Sequence, residues 1–218
     1  MVATKWEDVS LKKYEALINF LNNSSELSDL DRTIEIYSIL SDDPDKSRDY
    51  LLNLEVDKLS FELNKISFIK DKYKNKVPNT SYIIKGKEYT VQLNLNNMTT
   101  AQYIDFQNFY KDYNKNFKYI FLCFLIPKGK KYGEDYDVIE LADELYDYIS
   151  ISVVTDIMVF FCNLLKSLTI ATVISSIRET KKLLKKEKDP VKRYQWKRSL
   201  VQMRKTVALL QSEIEFAG

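Results

Sequence analysis

Carboxylates are the residues of this chain best placed to do chemistry. Glu134, Asp135 and Asp137 stand together just after Gly133, and Glu140, Asp143, Glu144 and Asp147 follow at three- and four-residue spacing. Oxygen donors in that number could hold Mg²⁺ or Ca²⁺, which is the route to a metal-dependent nuclease. The order does not match an EF-hand loop. Glu140 with Glu144, and Asp143 with Asp147, are like-charge neighbours of the kind a solvated acidic face carries. The solvated face is the expectation, and the sequence calls for no cofactor and no metal.

Other chemistries are removed by composition. The chain has no histidine, so Ser-His-Asp and Cys-His arrangements, imidazole zinc sites and histidine acid-base catalysis are excluded. Its glycines, at 86, 129, 133 and 218, cannot build a glycine-rich phosphate loop or a dinucleotide fingerprint. "PKGKKYG" lacks the leading glycine and the Ser/Thr after Gly-Lys that a P-loop needs. Cys123 and Cys162 lie in the apolar runs "YIFLCFLI" and "MVFFCNLL" and read as reduced core residues. The expectation is a protein that is not an enzyme.

Charge is the more informative property. The stretch 178–205 carries 12 Lys/Arg against 3 Asp/Glu, which leaves the rest of a +2 chain at −7. Lys181, Lys182, Lys185, Lys186, Lys192, Arg193, Lys197 and Arg198 are the candidate interaction residues. They could meet DNA phosphates, anionic lipid, an acidic partner surface or only solvent. Because the remainder is acidic, the basic end of one copy could lie on the body of the next. Such a heterologous contact closes into a ring, and self-assembly ranks ahead of DNA contact.

The elements that must position these residues are mostly helical. Ser28 with Asp31 fits a capping box ahead of "DLDRTIEIYSIL", and Thr4 with Glu7 fits another. Helices are expected at about 10–22 and 29–41. "DDPDKSRDY" breaks the pattern, and a third helix then runs from Ser47 or Asn53 to Leu63, with an ambiguous tail through "KISFIKDKY". After "KNKVPNT" the period changes: "SYIIKGKEYTVQLNL" reads as a β-hairpin turning at Lys85-Gly86-Lys87. A lone hairpin is marginal, so it packs on helices or pairs with another copy, through Tyr82, Ile84, Tyr89 and Val91.

Thr99 with Gln102 is a further capping box, opening a helix whose Tyr103, Phe106, Tyr110 and Tyr113 form an aromatic stripe expected to face a core. "FKYIFLCFLIP" is a buried helix or strand, "PKGKKYGEDYD" a surface loop, and "VIELADELYDYI" a helix. Residues 149–177 are long and apolar enough to raise the membrane question, but Asp156, Asn163 and Lys166 interrupt them. A charge at the centre of a span costs about 2.5–3.5 kcal/mol, so a buried helix in a soluble assembly is expected, with insertion after a conformational change left open. Asp189-Pro190 restarts a final helix.

The expected fold class is mainly α (α+β): a multi-helix bundle with one small β-hairpin and a long basic C-terminal helical segment. Three regions are expected: 1–76 helical, 77–175 hairpin plus apolar helical core, and 176–218 a basic arm. The start, "MVATKWEDVSLKKY", lacks the apolar region of a signal peptide.

The block from Ser81 to Leu165 resembles virion proteins of crAss-like and related tailed bacteriophages that infect Bacteroidetes. The hairpin "YIIKGKEYTVQLNL", the helix start "MTTAQYIDFQNF", the loop "FLIPKGKKYGEDYD" and the helix "VVTDIMVFFCNLL" carry the resemblance, over about two-fifths of the chain. It implies a structural role in the head-to-tail region, where proteins form rings beneath a portal and surround the DNA path. The implied partners are further copies of the chain and other virion proteins, with DNA contact through the basic helices and membrane contact only on ejection. The implied place is the virion, after synthesis in the bacterial host cytoplasm. Cargo stored in the particle and ejected with the genome, or a tail assembly factor, are the alternatives. The resemblance brings no catalytic residues.

Overall fold

The computed structural model describes residues 1–71 and 73–215, with the side chains of 113, 114 and 212–215 outside the description. Among the described residues there are nine α-helices and one three-stranded antiparallel sheet, so the fold is mainly α with a small β element. The chain divides into two compact units, Met1–Met158 and Val159–Gly218. The three expected regions differ from this division: position 76 lies inside the first unit, and position 175 lies within a helix of the second.

The first unit begins with α1 (Leu11–Asn23), α2 (Asp29–Leu40), α3 (Pro44–Leu52) and α4 (Val56–Asn64). Ser28 caps α2 by accepting the Asp31 backbone N–H. The Thr4 box is not a helix cap, because Trp6–Asp8 forms only a 3₁₀ turn and the Thr4 hydroxyl donates to Asp8. Ser10 caps α1 instead, accepting from the Lys13 N–H. The single helix expected before Leu63 is two. Asp43 caps and Pro44 opens α3, since proline suits the first helical position, where its missing N–H has no partner to lose. The ambiguous tail ends in a 3₁₀ turn at Ser67–Lys70.

The hairpin is present as β1 (Ser81–Ile84) and β2 (Lys87–Val91), joined by Lys85 at φ 52° and Gly86 at φ 75°. Two successive left-handed residues make the turn whose twist matches the flanking strands. Its outer partner is internal: β3 (Leu125–Pro127) pairs antiparallel with β2, Thr90 opposite Ile126. "FKYIFLCFLIP" therefore supplies both expected elements, with α6 (Tyr113–Ile120) passing through a 3₁₀ turn at Phe121–Cys123 into β3. Residues Ile120 to Leu125 are all essentially inaccessible and form the centre of the core with Tyr89, Leu145 and Val154. Full burial of such side chains contributes about 1.5–3 kcal/mol each.

Thr99 and Gln102 complete the reciprocal cap of α5 (Thr100–Lys111). The aromatic stripe is corrected: Phe106 is buried, whereas Tyr103 and Tyr110 are exposed and the Tyr113 side chain lies outside the described residues. Gln102 takes the second core position, donating to the Cys123 carbonyl at 3.1 Å. The loop before α7 (Val138–Leu145) is largely exposed, but Tyr132 within it is buried and donates to Asp105 at 3.1 Å.

The second unit contains most of α8 (Ile151–Lys186) and all of α9 (Pro190–Glu215). Asp189 accepts the Val191 N–H at 2.8 Å, so the Asp-Pro restart is a capped helix start. Beyond Lys166 the more protected residues recur at three and four: Ile170, Val173, Ile177, Thr180 and Leu184 on α8, and Trp196, Leu200, Met203, Val207 and Leu210 on α9. Each helix thus has a seam side and an outer side.

Candidate functional site

The acidic residues do not gather into a reaction centre. Asp137 is the cap of α7, accepting the backbone N–H groups of Ile139 and Glu140. Asp135 accepts the Lys131 N–H at 2.7 Å, and Glu134 pairs with the Lys131 ammonium. Asp143 and Glu144 face Lys118 and Lys87, and Asp147 faces Lys12. The Lys87 hydrogen bond holds the Glu144 carboxyl below its usual range. Among the described residues no three His, Cys, Asp or Glu side chains converge as a metal-binding group.

A cleft of about 600 Å³ lies beside the start of α1, lined by Ser10, Lys12, Lys13, Asp42, Asp147 and Ser150 among others. Its charges are paired, Glu7 and Asp8 with Lys76 and Lys5 from outside the lining and the others with one another or the amino terminus. Lys12 pairs with Asp147 at 3.0 Å, while Lys13 and the amino terminus both pair with Asp42, at 2.9 and 3.1 Å. The Lys13 and amino-terminal hydrogen bonds lower the Asp42 pKa. A set of mutually paired surface charges offers no activated nucleophile or base.

The hairpin residues expected at a subunit contact are corrected. Ile84, Tyr89 and Val91 are in the core, and Tyr82 is half-buried with its hydroxyl accepting the Asn79 N–H at 2.9 Å. Alternation along a strand sends these positions inward, so the outward residue is Ile83, 79% exposed. With β2 flanked on both sides within the chain, only the outer edges of β1 and β3 remain for another strand.

The basic residues are all outward. Lys181, Lys182, Lys185 and Lys186 lie exposed along the end of α8, and Lys192, Arg193, Lys197 and Arg198 along the start of α9. Among the described residues, no ion pair involves any residue of 178–205. With 12 Lys/Arg against 3 Asp/Glu in 178–205, the cluster is a concentrated positive field.

Beside it lies a second surface, on the apolar run that the sequence singles out. α8 contains an 18-residue window of mean hydropathy 2.0, of which only 17% is buried. Asp156, Ile157, Met158 and Phe161 are enclosed, but from Ser167 to Glu179 no residue is buried and Leu168 is half exposed. Within a single copy the helix is therefore buried only along its first turns. α9 adds exposed Val191, Tyr194, Val201 and Leu209. Apolar periodicity signals that a helix wants a partner, but it cannot say whether the same chain provides one.

No protein-family model, curated protein or solved structure matches the chain.

Proposed function

We propose that the protein is a non-enzymatic structural component of a tailed-phage virion, a ring or connector protein of the head-to-tail region, with its second unit as the assembly arm. The observation that carries this reading is the exposure of α8: a window of mean hydropathy 2.0 that is 17% buried in a single copy. Contiguous apolar surface on this scale marks an interaction site. The flanking charge excess, with the opposite excess elsewhere in the chain, supports a second copy as the partner. Other virion proteins and the DNA path are further contacts of the same arm.

The test is native mass spectrometry of the purified chain across a salt series. A discrete oligomer that weakens as salt rises is the expected result, because contacts between exposed opposite charges are screened beyond about 10 Å at 0.1 M salt. A monomer at every salt concentration overturns the connector reading.

One observation favours a second reading, ejected cargo. By length and composition α8 is apolar enough to cross a membrane. Co-flotation of the monomer with vesicles, together with the absence of any oligomer, would move this reading ahead.

A further inference from the structure

The acidic excess has an address. Residues 26–62 hold 11 Asp/Glu against 4 Lys/Arg, a net −7 that equals the whole deficit of the chain outside 178–205. This is the α2 to α4 segment. Several of its carboxylates are occupied: Glu35 by Arg48, Asp43 by Lys46, Glu55 by Lys58, and Glu62 by Lys65. Asp45, Asp49 and Asp57 are exposed and make no ion pair among the described residues.

The same surface is apolar where a folded helix pair is normally polar. Tyr50 is 51% exposed, Val56 78% and Phe61 71%. Tyr50, Asp57, Lys58, Phe61 and Glu62 line a shallow cleft of about 380 Å³. Of the three unpaired carboxylates Asp57 lines the cleft itself, while Asp45 and Asp49 stand on the neighbouring α3 helix; an aromatic-walled cleft in an acidic segment fits an amphipathic cationic helix.

α9 has that form. Its seam residues Trp196, Leu200, Met203 and Val207 lie on one side. At 100° per residue Val191, Tyr194, Arg198, Val201 and Lys205 fall within about 80° of one another on the opposite side. Lys197 borders that outer face. A helix with one apolar stripe already used and a second, basic-edged stripe exposed is built to bridge two bodies.

Resting on the assembly reading above, we infer that the α3–α4 cleft is the receptor for the outer face of α9 of a second copy, with Tyr194 and Val201 meeting Tyr50 and Phe61, and Arg198, Lys197 and Lys205 meeting Asp45, Asp49 and Asp57. Donor and acceptor surfaces are different patches of the chain, on different units, so the contact is heterologous and closes into a ring where the rotation between copies allows it.

Charge exchange tests it. One variant carries Lys197→Glu, Arg198→Glu and Lys205→Glu, and the other Asp45→Lys, Asp49→Lys and Asp57→Lys; circular dichroism confirms that each keeps its helix content. Each alone should raise the concentration at half-assembly by about tenfold or more. Mixed in equal amounts they should assemble again, alternating, because each restores the other's complement. Carbodiimide crosslinks between isotopically distinct wild-type copies should join Lys197 or Lys205 to Asp49 or Asp57.

Four results overturn the inference. Assembly of both variants at the wild-type concentration, or intermolecular crosslinks confined to other surfaces, removes this contact while leaving the assembly reading intact. No rescue on mixing, with both variants folded, removes the pairing of these two faces. A wild-type chain that stays monomeric and is protected on α9 only by anionic phosphatidylglycerol vesicles removes both the contact and the assembly reading.

Discussion

Asp156 accepts the Tyr73 hydroxyl at 3.0 Å across 83 residues of sequence, and its other oxygen takes the Lys76 backbone N–H at 2.8 Å. The carboxylate is buried at the start of α8 and fastens to it a stretch with no regular structure. Asp156→Ala removes the acceptor of two part-buried hydrogen bonds. It should cost about 2–3 kcal/mol in urea unfolding, with Tyr73→Phe costing about 1. Limited proteolysis around Lys74 to Lys76 should accelerate in the alanine variant. Unchanged midpoint and cleavage would show that the tether contributes nothing.

Glu62 sets a limit on the acid side. The Lys65 hydrogen bond lowers its pKa most, against an opposing effect of burial, and the Tyr37 hydroxyl at 2.7 Å lowers it further. A depressed carboxylate stabilises the fold above the unfolded value of 4.5, and that contribution is lost as pH falls through the lower folded value. Glu62→Gln should therefore be less stable than wild type at pH 7 and show a shallower decline below pH 4.5. Parallel stability curves for the two proteins would refute this.

The alkaline limit comes from tyrosines. Burial raises Tyr37, Tyr73 and Tyr132 above the usual 10.0, with the carboxylates of Glu62 and Asp156 adding to it at the first two and the Cys123 thiol at the third. A phenol that stays neutral longer in the folded state stabilises it below pH 10, and the contribution fades as pH rises above that. Absorbance titration should show a group of tyrosines ionising late and together with unfolding. A smooth titration centred near pH 10 would count against it.

Gly86 should resist replacement. Its φ of 75° follows Lys85 at 52°, and a Cβ built on it meets nothing within 4 Å. Gly86→Ala should cost about 1 kcal/mol through backbone strain alone, and Gly86→Asn less. A neutral alanine variant would mean that the turn relaxes without loss to the sheet.

The thiols should be quiet. Burial pushes the Cys123 thiol up to about 12, beside the Tyr132 hydroxyl at 3.6 Å, and burial also raises Cys162. At pH 8 an aromatic disulfide reagent should label Cys123 only as fast as the protein unfolds, with Cys162 slower than a free thiol. Rapid stoichiometric labelling of both would refute the buried placement.

Local signals determined much of this protein. Caps at Ser28 and Thr99, the Asp189-Pro190 restart and the Lys-Gly turn each act within a few residues, so the sequence alone placed α2, α5, α9 and the hairpin. The same locality misled at Pro44, whose effect depends on whether it stands first in a helix or inside one. Contacts distant in sequence were settled only by the fold. Nothing near Ile126 says that it pairs with Thr90, and nothing in the hairpin says that this pairing turns Tyr89 and Val91 into core. The basic arm was legible as composition, because charge adds along a chain. The exposure of α8 was not, because an apolar helix has the same sequence whether its cover is its own chain, another copy or a membrane, and only the packed structure shows which residues are left uncovered.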